Sequence, residues 1–220
     1  VNAIIRPCAV DGPTLSIRKF SRDPMTLERL VERGTITAQA QRVLHALVAA
    51  RLNILISGGT GSGKTTMLNA LSAFIDPRQR IVTIEDSAEL QLQQEHVVRL
   101  ETRPANLEGK GEVSPRACLK NALRLRPDRI VLGELRGAES VSFLRAINTG
   151  HPGSFSTIHA NSLRGALEQL SLMVMQTGIG LTRSDTIAYA ASVIDVIVQL
   201  GRDASGKRGI VQIADSRDLI

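Results

Sequence analysis

From residue 53 onward, short apolar runs alternate with segments whose apolar positions recur at helical spacing. The runs at 53–57, 81–84, 129–132 and 154–158 read as strands, and 64–74, 115–125, 138–148 and 163–176 read as helices. Strands that are apolar on both faces and separated by helices predict an α/β fold with a mostly parallel sheet flanked by helices. A further run at 97–101 breaks the regular alternation. Near the end, 193–200 and 209–214 flank Ala204-Ser205-Gly206-Lys207, which predicts a hairpin at a sheet edge. Upstream, two helices are predicted at 26–33 and 37–51, the second with Val43, Leu44, Leu47 and Val48 on one face. Residues 1–24 read as two extended pieces around the turn Asp11-Gly12-Pro13, closed off by Asp23-Pro24. Two strands alone are marginal in water. Residues 1–24 are therefore expected to be the last strands of an N-terminal domain plus a linker, with the α/β domain over 25–220. The first residue is Val and not Met, so a preceding segment is expected.

Composition narrows the class. The 220 residues are 43% hydrophobic and 22% charged, which excludes disorder, collagen and a coiled-coil rod as whole-chain descriptions. Aromatic residues make up 2%, with no Trp and one Tyr, so a base-stacking nucleic-acid platform has too few rings. Lys plus Arg outnumber Asp plus Glu by 27 to 21, a net charge of +6 that fits a phosphate-bearing ligand. Cys8 and Cys118 form no CxxC pair, which argues against a zinc site or disulfide framework and makes a reducing compartment the default. No apolar run approaches the roughly 18 residues a membrane span needs.

Four polar stations carry the chemistry. The first is Gly58-Gly59-Thr60-Gly61-Ser62-Gly63-Lys64-Thr65, followed by Thr66, which matches G-x-x-x-x-G-K-[ST] between a predicted strand and a predicted helix. Its glycines let backbone N–H groups turn inward onto phosphate oxygens, Lys64 reaches the β- and γ-phosphates, and the Thr65 hydroxyl ligates Mg²⁺. The second station is Glu85-Asp86, the third Glu134 and the fourth His159, each directly after an apolar run. Parallel strands end on one edge of their sheet, so all four stations are expected to meet there. Carboxylates beside phosphates make sense as ligands of Mg²⁺ or water, which nominates Thr65, Glu85, Asp86 and Glu134 as metal ligands. Glu134 is the first candidate to orient an attacking water and Glu85 the second. Taken singly, each station has a plainer reading: a helix N-cap for Glu85 or Asp86, a loop residue for Glu134, a satisfied histidine for His159. Their joint occurrence favours ATP and Mg²⁺. Arg18, Arg22 and Arg103 are candidates to neutralise phosphate charge, in cis or from a neighbouring subunit. Arg116, Lys120 and Arg124 form a basic helix stripe, which reads as a solvated face, a subunit contact or an electrostatic wall.

These motifs resemble those of the secretion ATPases shared by type II secretion, type IV pili and type IV secretion, which have a RecA-like P-loop core. The loop 58–65 matches their Walker A, 81–90 their aspartate box, 129–134 their Walker B with Gly133-Glu134 in place of Asp-Glu, and 150–161 their histidine box. Within the family the chain is most similar to the Tad/Flp pilus assembly ATPases, through 1–5, 15–20 and 100–106, and the conjugative type IV secretion ATPases are close relatives. The tetracysteine motif of type II secretion ATPases is absent. The resemblance implies a homohexameric ring with ATP sites at subunit junctions. Lys64, Thr65, Glu85, Glu134 and His159 then act in cis, and Arg18, Arg22 or Arg103 completes the site, in part across the interface. It also implies a cytoplasmic protein, peripheral to the inner membrane, docked on platform proteins of a pilus or secretion machine. A RecA-like nucleic-acid translocase is the rival, favoured by the basic stripe and disfavoured by the scarce aromatics and modest charge; no stable nucleic-acid binding is expected.

Overall fold

The computed structural model describes residues 1–17, 19 and 25–220. Strands β1 (Asn2–Ile4) and β2 (Thr14–Ser16) pair antiparallel with each other and, among the described residues, join no other strand. Helices α1 (Leu27–Glu32) and α2 (Ala38–Ala49) start where Thr26 and Thr37 accept hydrogen bonds from the backbone N–H groups of Arg29 and Ala40. The remaining chain runs β3 (Ile54–Gly58), α3 (Lys64–Ser72), β4 (Ile81–Glu85), β5 (Val97–Glu101), α4 (Pro115–Ala122), β6 (Arg129–Leu135), α5 (Glu139–Asn148), β7 (Phe155–Ile158), α6 (Leu163–Met175), α7 (Arg183–Val193), β8 (Val196–Arg202) and β9 (Arg208–Asp215).

Seven of these strands form one sheet in the order β5-β4-β6-β7-β3-β8-β9. All neighbours are parallel except β8 and β9, the predicted hairpin. Alternate residues of each strand feed opposite faces. Leu55, Val82, Ile84, Ile130 and Leu132 pack with α4, α5, α6 and α7. Ile54, Ile56, Ile81 and Val131 pack with α1, α2 and α3. The residues before the strands are tied together from within. The Arg129 guanidinium, 2% exposed, donates to the carbonyls of Val48 and Gly153 at 3.0 Å each and to Gln79 Oε1 at 2.6 Å. Asn53 Oδ1 accepts from the N–H groups of Gly153 and Ser154. These bonds fix the relative heights of the central strands, and hence of their opposite ends.

Two features differ from the sequence expectation. The run expected to end at 132 continues as β6 to Leu135, with a register shift between Leu132 and Leu135 where it pairs with β7. Glu134 thus sits within a bulged strand and not in the loop after it. Helix α7 is an element the apolar pattern does not announce. Its buried residues are Thr186, Ala190, Ala191 and Val193, too small and mixed to draw a stripe. Its start is nonetheless written in a capping box, in which Thr182 Oγ1 accepts from the Asp185 N–H and the Asp185 carboxylate accepts from the Thr182 N–H.

Candidate active site

The fully buried strand β3 delivers the chain into the loop 59–63, and α3 begins at Lys64. Gly63 holds φ +101° as the residue before the helix, a conformation that a side chain would strain. A Cβ on Gly58 would lie 2.4 Å from Ser62 Oγ, so the turn closes only around glycine. Helices α1, α2, α4, α6 and α7 each have a Ser or Thr side chain capping their first turn, whereas α3, like α5, has no side-chain cap. Its first N–H groups and its positive end are thus presented by backbone alone, the arrangement that suits an anion.

The loop borders a cleft of about 860 Å³ at the carboxyl edge of the sheet. That volume lies within the range of about 300–1,000 Å³ typical of ligand sites. Thr60, Gly61, Gly63, Lys64, Thr65 and Thr66 line one wall, and Glu85, Asp86, Glu134, Arg136 and His159 line the other parts. Every polar station therefore reaches the same cleft, as parallel strand ends require. The residues of the histidine box part company: His159 follows β7 and faces the cleft, while His151 precedes β7 and its Nδ1 lies 2.9 Å from the Pro127 carbonyl.

Lys64 is 8% exposed. Its Nζ donates to the carbonyls of Gly58 at 2.9 Å and Gly59 at 3.1 Å and lies 3.3 Å from the His159 ring nitrogens. Burial holds its pKa below the ordinary lysine value; nearby Arg136 lowers it further and Glu134 opposes both. Glu85 is 5% exposed. Its Oε2 accepts from the N–H groups of Glu89 and Leu90 at 2.9 Å each, while its buried Oε1 has no hydrogen-bond partner. Burial pushes this carboxyl above the usual range, against the lowering effect of those two bonds. An orphaned carboxylate oxygen lining the cleft fits a cation there. Among the described residues no cluster of three or more His, Cys, Asp or Glu residues exists that would hold a metal alone. Mg²⁺ takes one or two protein ligands and fills its shell with phosphate and water, so the Glu85 carboxylate could serve it without such a cluster.

Glu134 Oε1 lies 2.8 Å from His159 Nε2, close enough for an ion pair though not aligned for a hydrogen bond. Its Oε2 contacts the Arg136 guanidinium, whose Nη1 also meets Asp86 Oδ2 at 2.7 Å. Asp86 Oδ1 accepts from the Thr102 hydroxyl at 2.9 Å. Gly133 lies beside Glu85, where a Cβ would stand 3.4 Å from Glu85 Cγ, an ordinary van der Waals contact.

Sequence reasoning missed Arg136, although it lies two positions after Glu134, a spacing that repeats a face in a strand. It also missed Lys19 and Arg208, which line the cleft, and Arg202, whose Nη2 donates to the Gly61 carbonyl at 2.9 Å. The last two come from the β8–β9 hairpin, and nothing local in the sequence ties it to the loop. Arg103 is not brought to this cleft. It pairs backbone to backbone with Val113, donates from Nε to the Gly111 carbonyl at 2.8 Å, and borders a separate depression of about 240 Å³. Arg18 and Arg22 lie outside the described residues. Arg116, Lys120 and Arg124 are all exposed.

Comparison with known proteins gives the family. The family described as Type II/IV secretion system protein matches residues 3–216. A protein of Mycobacterium tuberculosis named for conjugal transfer is 41% identical over 217 residues, covering 97% of this chain and 60% of its own length. The type IV secretion system protein VirB11 of Bartonella quintana is 36% identical, covering 96% of this chain and 69% of its own. Among solved structures, the VirB11 ATPase of the Brucella suis type IV secretion system, in complex with sulphate, superposes with a TM-score of 0.74 at 31% identity over 93% of this chain and 62% of its own. The chain thus spans about 60% of the length of the first curated relatives it matches.

Proposed function

This chain belongs to the Type II/IV secretion system protein family, and on that premise we propose that it binds ATP with Mg²⁺ and hydrolyses it as a ring of six copies that powers secretion or pilus assembly. The observation that carries the reading is the meeting of Lys64, Glu85, Glu134 and His159 in one cleft beside a glycine loop that presents backbone N–H groups. In this reading the loop 58–66 cradles the phosphates, and Lys64 leaves its two carbonyl partners for the β- and γ-phosphates. Thr65 and Glu85, with Asp86, would hold Mg²⁺, which would supply charge neutralisation to the phosphates. Glu134 orients a water and takes its proton as the water oxygen attacks the γ-phosphorus. The bond to the bridging oxygen breaks, and ADP and phosphate leave. His159, between Lys64 and Glu134, senses whether the γ-phosphate is present. Arg18, Arg22 or Arg103 completes the site, in part across a subunit junction, which is the place this reading leaves for Arg103.

Residues 1–24 are read as the end of a domain that precedes 25–220. The protein is placed on the cytoplasmic face of the inner membrane, docked on platform proteins, with no stable nucleic-acid partner; among the described residues no helix is long and apolar enough to cross a membrane. Relatives named for conjugal transfer and type IV secretion support service in a machine of that kind. The phrases at 1–5, 15–20 and 100–106 support a second reading, Tad/Flp pilus assembly.

The test is steady-state ATP hydrolysis over a protein concentration series, wild type beside Glu134→Gln, with mass read by light scattering. Specific activity is expected to rise together with a hexamer-sized species. Glu134→Gln is expected to keep ATP binding and lose about 100-fold or more in turnover. Concentration-independent activity from a monomer would sink the shared-site ring. Binding without turnover by wild type would leave only a nucleotide-binding module, and stimulation by single-stranded DNA would favour a translocase.

A further inference from the structure

Arg136 is a cleft residue for which the reading above has no task, and its surroundings define one. The turn after β6 is pinned by Glu139, 7% exposed, whose Oε1 accepts from the N–H groups of Arg136 at 2.6 Å and Gly137 at 2.8 Å. The backbone that launches Arg136 is therefore held by a buried carboxylate, and it directly follows the bulge that carries Glu134. The guanidinium then spans two strand ends. Nε and Nη2 engage Glu134 Oε2 from β6, and Nη1 engages Asp86 Oδ2 just past β4. Asp86 passes the connection on to the Thr102 hydroxyl, and the Thr102 N–H donates to the Glu85 carbonyl at 2.8 Å.

Stability does not account for this arrangement. The Arg136 side chain is 64% exposed, and exposed ion pairs contribute little to folding. A planar fork with donors on several edges is what fixes a carboxylate's orientation, and a single ammonium cannot span both partners. One Glu134 oxygen is taken by Arg136, which leaves the other turned toward His159 and the cleft.

We propose that Arg136 is the positioning residue of the reaction: it sets the orientation of Glu134 and ties it, through Asp86, to Thr102 at the start of the loop after β5. The inference rests on the ATPase reading. It makes the water-orienting carboxylate responsive to movement of that loop at the sheet edge, because the carboxylate, the guanidinium and the loop share one chain of contacts.

The experiment measures kcat and KM for ATP in the presence of Mg²⁺ on the chain and its variants Arg136→Ala, Arg136→Lys, Thr102→Val and Arg136→Ala with Thr102→Val. Arg136→Ala is expected to lower kcat about 10- to 100-fold with KM changed less than about threefold, the signature of an interaction that matters after binding. Arg136→Lys is expected to recover part of the loss. Thr102→Val is expected to cost a few-fold alone and nothing in the Arg136→Ala background, since coupled residues are not additive. Thermal melts should agree within about 2 °C, as suits an exposed side chain. Unchanged kcat in Arg136→Ala would overturn the proposal. So would a raised KM with kcat retained, which would make Arg136 a phosphate contact, or an additive loss in the double variant. An active wild type with an indifferent Arg136→Ala sinks this inference alone; a wild type that turns over no ATP sinks the ATPase reading and this inference with it.

Discussion

Glu85 is a carboxylate kept almost wholly out of water, with one oxygen satisfied by two backbone N–H groups and the other unpaired. Its raised pKa means that the folded chain holds this proton more tightly than the unfolded chain. The associated stability is fully present below the ordinary carboxylate pKa and is lost as pH rises through the raised folded value. Glu85→Gln keeps an acceptor for Glu89 and Leu90 and removes the buried charge. At pH 7 it is expected to melt no lower than wild type, with a gain of up to about 1 kcal/mol. The difference should shrink toward pH 4, while hydrolysis falls; melts from pH 4 to 8 check this. The two thiols differ in the same physical way. Burial pushes the Cys118 thiol up, whereas Cys8 is exposed. A thiol reagent at neutral pH is expected to label Cys8 at once and Cys118 only as the chain unfolds, because the thiolate reacts and must be reached.

Among the elements, α5 and α7 show how differently a helix can be specified. Helix α5 reads from sequence because Phe143, Leu144 and Ile147 recur on one face and are buried against the sheet. Phe143→Ala is expected to cost about 3–5 kcal/mol in denaturant unfolding. Helix α7 is held at its start by the Thr182–Asp185 box, and Thr182→Ala is expected to cost about 1 kcal/mol by the same measurement. The loop-and-helix unit at 58–72 was legible because its chemistry is local: every glycine, Lys64 and Thr65 lie within one turn of chain. The end of β6 was not. Gly133 interrupts an apolar run, and only pairing with β7, with the Thr157 hydroxyl donating to the Gly133 carbonyl at 2.8 Å, carries the strand on through a bulge to Leu135.

For the molecule as a whole, the cleft lies along the edge of the main sheet, with its walls on the loop after β3, α3, β4, β6 and β7. A ligand held there bridges both halves of the core, so binding is expected to stabilise the chain cooperatively. ATP with Mg²⁺ at about 100 times Kd should add about 2.7 kcal/mol to unfolding, and Lys64→Ala should abolish most of that gain while leaving the unliganded melt little changed. Differential scanning fluorimetry with and without nucleotide decides it.

Sequence by itself determined the alternation of apolar strands and helices, the phosphate-type loop, and the presence of Glu85, Asp86, Glu134 and His159 directly after apolar runs. Those follow from local periodicity and from the rule that parallel strands end together. Tertiary structure decided which side chains touch. Strand order puts β4 beside β6, so Asp86 and Glu134 can share the one guanidinium of Arg136. The bulge sets Glu134 against His159, and the β8–β9 hairpin lays Arg202 on the loop at Gly61. Arg103 illustrates the converse, a residue with suitable chemistry that its own loop ties up elsewhere. The physical reason is common to all of these: a contact between residues far apart in the chain depends on sheet register and strand order, which the whole core sets and no short stretch of sequence encodes.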